Sequence, residues 1–296
     1  ISLQAWNALD FEARATEAGL VVAAVRSPQE WAGHPQSAAL RAEPLVRITQ
    51  LGAAAPRAWP ALAPDALPLS GLHVLDLTRI LAGPVAARTL AAYGAEVLMV
   101  NAPHLPNIES IADMSRGKRS ALLDLRTPGG MAHMRQLLAG AHVFLQGYRP
   151  GSLQALGLGV QEVARLAPGS VYASLSAYGR SGPWADKRGF DSLVQTVSGI
   201  NLAEAQAFGE ATPRALPMQI LDYGAGFLLA FGVQAALLRQ ATQGGTWHVE
   251  VSLARVAQWL VELGRLPVTP AVSAADAGGG WILNDLATTE SGFGRL

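Results

Sequence analysis

Short apolar segments that alternate with helix-like segments from Leu69 onward constrain the fold more than any other feature. The segment His73–Thr78 has the pattern of a buried strand, and similar segments recur near residues 96–100, 142–146, 170–175 and 247–252. Between the first two, Gly83-Pro84 begins a helix and Gly94 ends it, the usual placement of proline and glycine at helix ends. Strands joined through helices form right-handed crossovers in a mostly parallel sheet.

The sequence therefore predicts an α/β fold, with an open, mostly parallel Rossmann-like sheet covered by helices on both faces. Residues 1–50 are predicted to form an additional small α/β unit. It would contain a helix at 11–18, a strand at Leu20–Val25 and a capping box at Ser27-Pro-Gln-Glu30. Residues 51–68, rich in alanine and proline, are predicted to be a linker. Residues 69–264 would be the large domain, and the weakly periodic residues 265–296 a linker or tail.

Composition excludes several classes of function. The 296 residues carry 22 basic and 22 acidic side chains, so no basic excess favours a nucleic-acid partner. The absence of cysteine excludes disulfides and thiolate catalysis, and no histidine or carboxylate spacing is typical of a metal site. No uninterrupted apolar run reaches the ~18 residues of a membrane span, and the amino-terminal residues lack a signal pattern. We expect a cytoplasmic protein that binds neither membrane nor nucleic acid.

Three segments carry a resemblance to a known family. They are Leu75–Pro84, Ser115-Arg-Gly-Lys-Arg-Ser120 and Ala173–Gly199. Together they resemble the class III coenzyme A transferases, which include formyl-CoA and carnitine CoA-transferases and the related 2-methylacyl-CoA racemases. The match extends over residues 69 to about 262. Residues 8–50 resemble the small domain of the family, although that domain normally follows the large one.

The resemblance implies an acyl-CoA and a carboxylic acid as substrates, with no permanently bound cofactor. It also implies a homodimer, possibly an interlocked one. Three basic residues within positions 116–119 fit a solvated loop when considered alone, whereas in the family this run lies beside the coenzyme. The glycine and the aromatic residue of Gln146–Gly151 match positions at the adenine end, and two residues after the first strand match the thiol arm. The implied CoA contacts are Ile80, Leu81, Lys118, Arg119, Gly147 and Tyr148.

For catalysis, the resemblance implies a carboxylate that forms a mixed anhydride with the acyl group and then a thioester with CoA. Counting back from Asp222, which opens a long helix, places Glu210 at the position of the family's nucleophilic aspartate. Its side chain is one methylene longer, and a displacement of about 1 Å can change rates strongly. The residues that follow are Ala-Thr-Pro where the family has Gly-Pro-Pro. A solvated loop acid is the alternative interpretation of Glu210.

Two other functions remain open. The racemases use a histidine where this chain has Phe190, and phenylalanine cannot exchange a proton, which disfavours racemisation or epimerisation. The racemase aspartate matches Asp222, although Asp222 and Asp191 are each predicted to act as helix caps. Leu81, Phe190 and the absence of a basic segment after the second strand are compatible with a catalytically degenerate CoA-binding homologue.

Overall fold

The computed structural model describes residues 3–59, 61–105, 110–265, 290–291 and 294–295. By internal packing the chain divides into two units, Ile1–Glu262 and Leu263–Leu296. Most of the predicted tail, residues 265–296, lies outside the described residues.

The sheet of the first unit has seven strands, and helices connect most of them. The strands are β1 (Arg47–Gly52), β2 (His73–Leu77), β3 (Glu96–Asn101), β4 (Lys118–Leu122), β5 (Val143–Gln146), β6 (Val171–Ser176) and β7 (Thr246–Ser252). After a 3-10 turn at Leu3–Ala5, the helices are α1 (Ala8–Glu17), α2 (Pro28–Ala32), α3 (Pro35–Arg41), α4 (Ala82–Ala92), α5 (Ile111–Met114), α6 (Pro128–Gly140), α7 (Ser152–Ala155), α8 (Val160–Leu166), α9 (Asp191–Val197), α10 (Ile200–Phe208), α11 (Ile220–Gln243) and α12 (Leu253–Glu262). The second unit contains two short antiparallel strands, β8 (Glu290–Ser291) and β9 (Gly294–Arg295).

The strand order is β1-β7-β6-β5-β2-β3-β4, with β1 antiparallel to β7 and all other neighbours parallel. The chain runs outward from β2 through β3 to β4 and then returns to place β5 on the other side of β2. The direction of winding therefore reverses between β2 and β5, which opens a crevice at their carboxyl ends. This arrangement confirms the predicted Rossmann-like α/β fold.

Alternate side chains of the strands pack into two apolar cores, one on each face of the sheet. On one face Val74 of β2 packs with Leu90 of α4 and Leu229 of α11. On the other face the next residue, Leu75, packs with Met134 of α6. Because successive strand residues point to opposite faces, an apolar run such as β2 serves both cores.

Among the described residues, helix α11 has the length and the apolar composition of a membrane-spanning helix. Half of its most apolar window is buried inside the protein. Leu221, Ala225 and Leu229, spaced four residues apart, are fully buried, and the helix packs on α4 and β7. A Cβ at Gly226 would lie 2.6 Å from the Ala82 carbonyl oxygen, so this glycine permits the close approach of α4.

The amino-terminal segment packs in the same compact unit as the sheet. The predicted helix is present as α1, and the predicted capping box forms at α2. The Glu30 N–H donates to Ser27 Oγ over 3.2 Å, and the Ser27 N–H donates to the Glu30 carboxylate over 2.7 Å. The segment also contributes β1, which was not predicted, to the sheet edge. The domain boundaries at residues 50 and 68 stay predictions.

The strand predicted at Leu20–Val25 is wrong. The Ala24 N–H donates to the Glu12 carboxylate over 3.1 Å, and the Arg26 N–H donates to the Thr196 carbonyl of α9. A strand needs a neighbouring strand to satisfy its backbone groups, and here a side chain and a helix take that role instead.

Candidate functional site

A cleft of about 310 Å³ opens at the carboxyl ends of β2, β5 and β6. Its walls are formed by Leu77 at the end of β2, by residues 147–150 after β5 and by residues 175–177 at the end of β6. The loop 187–190, which precedes α9, closes one side. The cleft thus coincides with the reversal of strand order, where open α/β sheets bind their ligands.

Four basic residues line the cleft, and among the residues that the structure describes its lining contains no aspartate or glutamate. Arg79 follows β2, Arg149 follows β5, and Lys187 and Arg188 come from the loop before α9. Loss of solvent and the nearby Arg149 guanidinium lower the pKa of Arg188, as expected for like charges held close together. In a chain with no net charge, this concentration of one sign favours an anionic ligand.

Three of the six predicted CoA contacts, Ile80, Gly147 and Tyr148, line this cleft. Tyr148 also lines a neighbouring apolar cavity of about 190 Å³. Its backbone N–H donates to Gln146 Oε1 over 2.8 Å, which fixes the start of the loop after β5. Burial raises the pKa of the Tyr148 hydroxyl, so the side chain is a neutral aromatic surface at physiological pH.

The loop that joins β2 to α4 is strained beside the cleft. Ile80 has a φ of 73°, a left-handed conformation that is unusual for a β-branched residue. Leu81, the residue before α4, does not line the cleft but occupies the N-cap position without a side-chain capping bond. The amino end of α4, which carries partial positive charge, therefore follows directly after a cleft residue.

The side chain of Lys118, predicted to contact CoA, is fully buried beneath this loop. Its Nζ lies 2.8 Å from Asp76 Oδ2 and donates a second hydrogen bond to the Pro84 carbonyl over 3.0 Å. The other Asp76 oxygen accepts the backbone N–H of Thr78 over 2.9 Å. The structure places the ammonium inside the protein between β2 and α4, where it supports the loop that lines the cleft.

Arg119 lies at the opposite end of the parallel strands from the cleft. It lines a separate cavity of about 530 Å³ at the amino ends of β2 and β3, together with His73 and Glu96. The parallel register explains this position, because Arg119 pairs with Leu98 near the beginning of β3. Although Lys118 and Arg119 are adjacent in the sequence, neither of them lines the cleft.

Glu210, the predicted nucleophile, lies in the loop after α10 and is exposed to solvent. Its carboxylate forms an ion pair with Arg214, whose guanidinium lies 4.3 Å from the centroid of the Phe208 ring. Glu210 is not one of the residues that line the cleft.

Two buried carboxylates meet where α9 and α11 begin. Asp191 Oδ2 accepts the backbone N–H groups of Leu221 and Asp222, over 2.7 and 2.9 Å, so Asp191 caps α11 rather than its own helix. Asp222 does not cap α11, because the N-cap residue is Gln219. Burial and the neighbouring Asp191 charge raise the pKa of Asp222 to about 7. Asp191 directly follows Phe190, a residue of the cleft wall.

A third buried group, which the sequence did not reveal, links the amino-terminal segment to the cleft. The Glu12 carboxylate of α1 accepts hydrogen bonds from Arg26 and forms an ion pair with Lys187, with 2.9 Å between Glu12 Oε1 and Lys187 Nζ. Burial alone would raise the pKa of Glu12, but the hydrogen bonds from Arg26 and Lys187 hold it below its ordinary value. No sequence spacing could have indicated a contact between residues 12 and 187.

A serine–histidine contact is also buried in the sheet. Ser174 Oγ lies 2.8 Å from His248 Nε2, and His248 Nδ1 lies 3.6 Å from Glu250. Burial lowers the pKa of His248 to about 4, so the imidazole is neutral. Ser174 is 2% exposed and lies within β6, as a strand residue was expected to be. These contacts therefore belong to the packing of β6 against β7.

Comparison with protein-family models gives a match over residues 69–265 to the model described as CoA-transferase family III. An acyl-CoA transferase of Gibberella moniliformis is 34% identical over 84% of this chain and 45% of its own length. A succinate–glutarate CoA-transferase of Agrobacterium fabrum is 33% identical over 63% of this chain and 51% of its own length. The chain spans about half the length of the curated relatives it matches.

Two solved structures show the same architecture. That of Rv3272 from Mycobacterium tuberculosis has a TM-score of 0.58 and 35% identity, and the match covers 68% of this chain and 61% of that one. That of a CAIB/BAIF family protein from Brucella suis has a TM-score of 0.57 and 26% identity, covering 78% of this chain and 65% of the other.

Proposed function

This chain belongs to CoA-transferase family III, and from that membership we propose that it moves coenzyme A from an acyl-CoA donor to a carboxylic acid. The observation that carries the proposal is the charge of the cleft at the carboxyl ends of β2, β5 and β6. Four cations and, within the described part of the chain, no carboxylate line it, which suits a ligand with a pyrophosphate and a 3′-phosphate.

We assign the parts of the coenzyme by the chemistry of the cleft. Arg149 and Arg188 suit the phosphates, because guanidinium groups bind phosphate oxygens through paired hydrogen bonds. Tyr148 offers an aromatic surface for the adenine. Ile80 and Leu77 are apolar and suit the pantetheine arm.

The catalytic step in this proposal uses the Glu210 carboxylate. One oxygen attacks the thioester carbonyl and the C–S bond breaks. The CoA thiolate departs, and the acyl group stays on Glu210 as a mixed anhydride. The thiolate then attacks the glutamyl carbonyl, which releases the first acid and leaves a Glu210–CoA thioester. The second acid reverses both steps. For this to occur, Glu210 must exchange its ion pair with Arg214 for a position in the cleft.

Three measurements test the proposal. Isothermal titration with CoA should show binding, and a thioester-exchange assay across acyl-CoA donors and carboxylic acids should show transfer. Glu210→Gln should lower the exchange rate at least about 10³-fold while CoA binding is kept. Glu162→Gln, which alters a half-buried acid paired with Arg165 on α8, away from the cleft, should leave both unchanged. Failure of the chain to bind CoA would rule out the proposed function.

A second candidate is a CoA-binding protein that does not catalyse transfer. Two observations favour it: none of the cleft residues that the structure describes is a carboxylate, and Glu210 is engaged with Arg214. CoA binding without exchange for any donor would support this candidate. Racemisation is weaker, because Phe190 occupies the cleft wall where the racemases have a histidine. Exchange of the α-proton of an acyl-CoA in deuterated water would be required to revive it.

The homodimer and the cytoplasmic location expected from the sequence belong to the same proposal. Sedimentation equilibrium of the chain tests the dimer, and a single species at the monomer mass would contradict it.

A further inference from the structure

Lys187 differs from the other cations of the cleft because its side chain is only 5% exposed. Its Nζ lies 2.9 Å from Glu12 Oε1 and 3.7 Å from the centroid of the Trp184 ring. Arg149, by contrast, is exposed to solvent. A charge removed from water interacts with a nearby ligand more strongly than a solvated one, since less solvent screens it.

The buried group that contains Lys187 is not electrically balanced. Glu12 is its carboxylate, and Arg26 by itself contacts both oxygens of that carboxylate. Arg26 can therefore neutralise Glu12 alone, and the ammonium of Lys187 adds one positive charge beyond balance. Burial lowers the pKa of Lys187, and the hydrogen bond to Glu12 opposes that fall and helps to keep the ammonium charged.

The amino-terminal segment holds the loop 187–190 at two points. The first is the contact between Glu12 and Lys187. The second is a hydrogen bond of 2.7 Å from Arg188 Nη1 to the carbonyl of Gly19, just after α1. Both charged residues of this loop, each of which borders the cleft, are thus held by residues 12–19.

We propose that Lys187 is a specificity-determining cation for an oxyanion of the ligand, and that Glu12 in α1 is its positioning residue. The inference rests on the proposed function, because that function supplies the ligand. The oxyanion is either a phosphate of CoA or the carboxylate of the acid substrate. In both cases the amino-terminal segment acts on the cleft of its own chain.

The first test uses Lys187→Met, which keeps the length and the apolar stem of the side chain and removes its charge. The variant should fold, because Glu12 retains Arg26 as its partner. Titration calorimetry compares CoA, 3′-dephospho-CoA and pantetheine, and the exchange assay gives KM for the acid. A phosphate contact predicts a Kd for CoA about 10-fold higher with an unchanged Kd for pantetheine. A carboxylate contact predicts an unchanged Kd for CoA and a KM for the acid about 10-fold higher.

The second test uses Glu12→Gln, with Glu17→Gln as the matched control. Both acids lie on α1, but Glu17 forms an exposed pair with Arg14, so its loss should change neither binding nor KM. Glu12→Gln should reproduce the selective loss measured for Lys187→Met, and Glu12→Asp should restore part of it. Circular dichroism checks that each variant folds. If Glu12→Gln does not fold, Lys187→Met still tests the role of Lys187, and Glu12→Asp tests the positioning role of Glu12.

The outcomes separate the two proposals. If the unaltered chain does not bind CoA, the proposed function is wrong. If it binds CoA but Lys187→Met leaves every Kd and the KM within 2-fold of the original, the role of Lys187 is overturned. If Lys187→Met shows the selective loss and a folded Glu12→Gln does not, Glu12 is not the positioning residue.

Discussion

Two buried ion clusters flank the cleft, and they differ in charge balance. The side chains of Asp76 and Lys118 form a one-to-one pair, and both are completely buried. Asp76 also accepts the backbone N–H of Thr78, just after β2, and Lys118 also donates to the carbonyl of Pro84 in the first turn of α4. Glu12 instead serves two cations, Arg26 and Lys187, and the second of these borders the cleft. The first cluster is complete without a ligand, whereas the second has an unbalanced positive charge.

This difference indicates separate roles for two lysines that look alike in the sequence. A balanced buried pair fixes a backbone conformation, here the strained loop at Ile80, and interacts weakly with charges outside it. An unbalanced buried cation attracts an anion that enters the cleft. The predictions below test this contrast.

The largest expected effect is on stability, from Lys118→Met. Removal of the ammonium leaves the Asp76 carboxylate buried without its counter-charge, and breaking a buried pair in this way costs about 3–5 kcal/mol. Urea denaturation should show this loss, and Asp76→Asn combined with Lys118→Met should recover part of it. The corresponding loss for Lys187→Met should be about 1 kcal/mol, the net contribution of one hydrogen bond, because Glu12 keeps Arg26. If Lys118→Met instead abolished CoA binding without a loss of stability, Lys118 would be the ligand contact that the family resemblance implies.

The next largest effect concerns the pair of buried carboxylates, Asp191 and Asp222, which has no cation among its contacts in the part of the chain that the structure describes. The pKa of Asp222 is raised to about 7, so the folded state binds more protons than the unfolded chain between about pH 4 and 7. The stability associated with this group is therefore complete below about pH 4 and is lost as the pH rises through about 7.

Asp222→Asn removes this titration. We expect it to increase the free energy of unfolding more at pH 8 than at pH 5, by about 3 kcal/mol, because the pKa of about 7 lies two units above pH 5 and one pKa unit corresponds to about 1.4 kcal/mol. Urea denaturation at both pH values measures the difference. Equal effects at pH 5 and pH 8 would contradict the pKa assignment.

The sequence predicted most of the sheet because its strands are apolar runs of the right length between clear helix signals. β2, β3, β5, β6, β7 and α11 lie within a few residues of their predicted positions. Leu20–Val25 was mistaken for a strand because its apolar residues match that pattern, while its actual backbone partners, Glu12 and Thr196, are distant in the sequence. The local pattern of apolar residues does not show which distant residues will bond to a segment's backbone.

For the site, the resemblance led to the β2 and β5 loops, and Ile80, Gly147 and Tyr148 do line the cleft. The cations Arg149, Lys187 and Arg188 were missed, because each is an ordinary loop residue until the sheet order brings the loops together. Lys118 and Arg119, in contrast, were predicted to contact CoA but do not line the cleft. They are adjacent in sequence, yet one is buried against Asp76 and the other lies at the amino-terminal edge.

The contrast also predicts a moderate effect for an exposed cation of the cleft. Arg149→Gln removes a solvated guanidinium, so we expect the Kd for CoA to rise about 5-fold, less than for the buried Lys187 when CoA phosphate is the bound oxyanion. Because exposed charges are screened by salt, the effect of Arg149→Gln should shrink between 50 and 500 mM salt (roughly a threefold change in Debye length). An undiminished effect at high salt would show that Arg149 is desolvated in the complex.

The smallest effect is expected for Arg119→Gln. Arg119 belongs to the same basic run as Lys118, but the parallel register places it at the amino ends of the strands, in a cavity separate from the cleft. Its charge is separated from the ligand by the length of the strands and by solvent, so the Kd for CoA should stay within 2-fold at 150 mM salt, where the Debye length is about 8 Å. Calorimetric titration of Arg119→Gln beside Arg149→Gln makes the comparison. A larger loss for Arg119→Gln would place the coenzyme, or part of it, at the opposite edge of the sheet, and the assignment of the four-cation cleft would have to be abandoned.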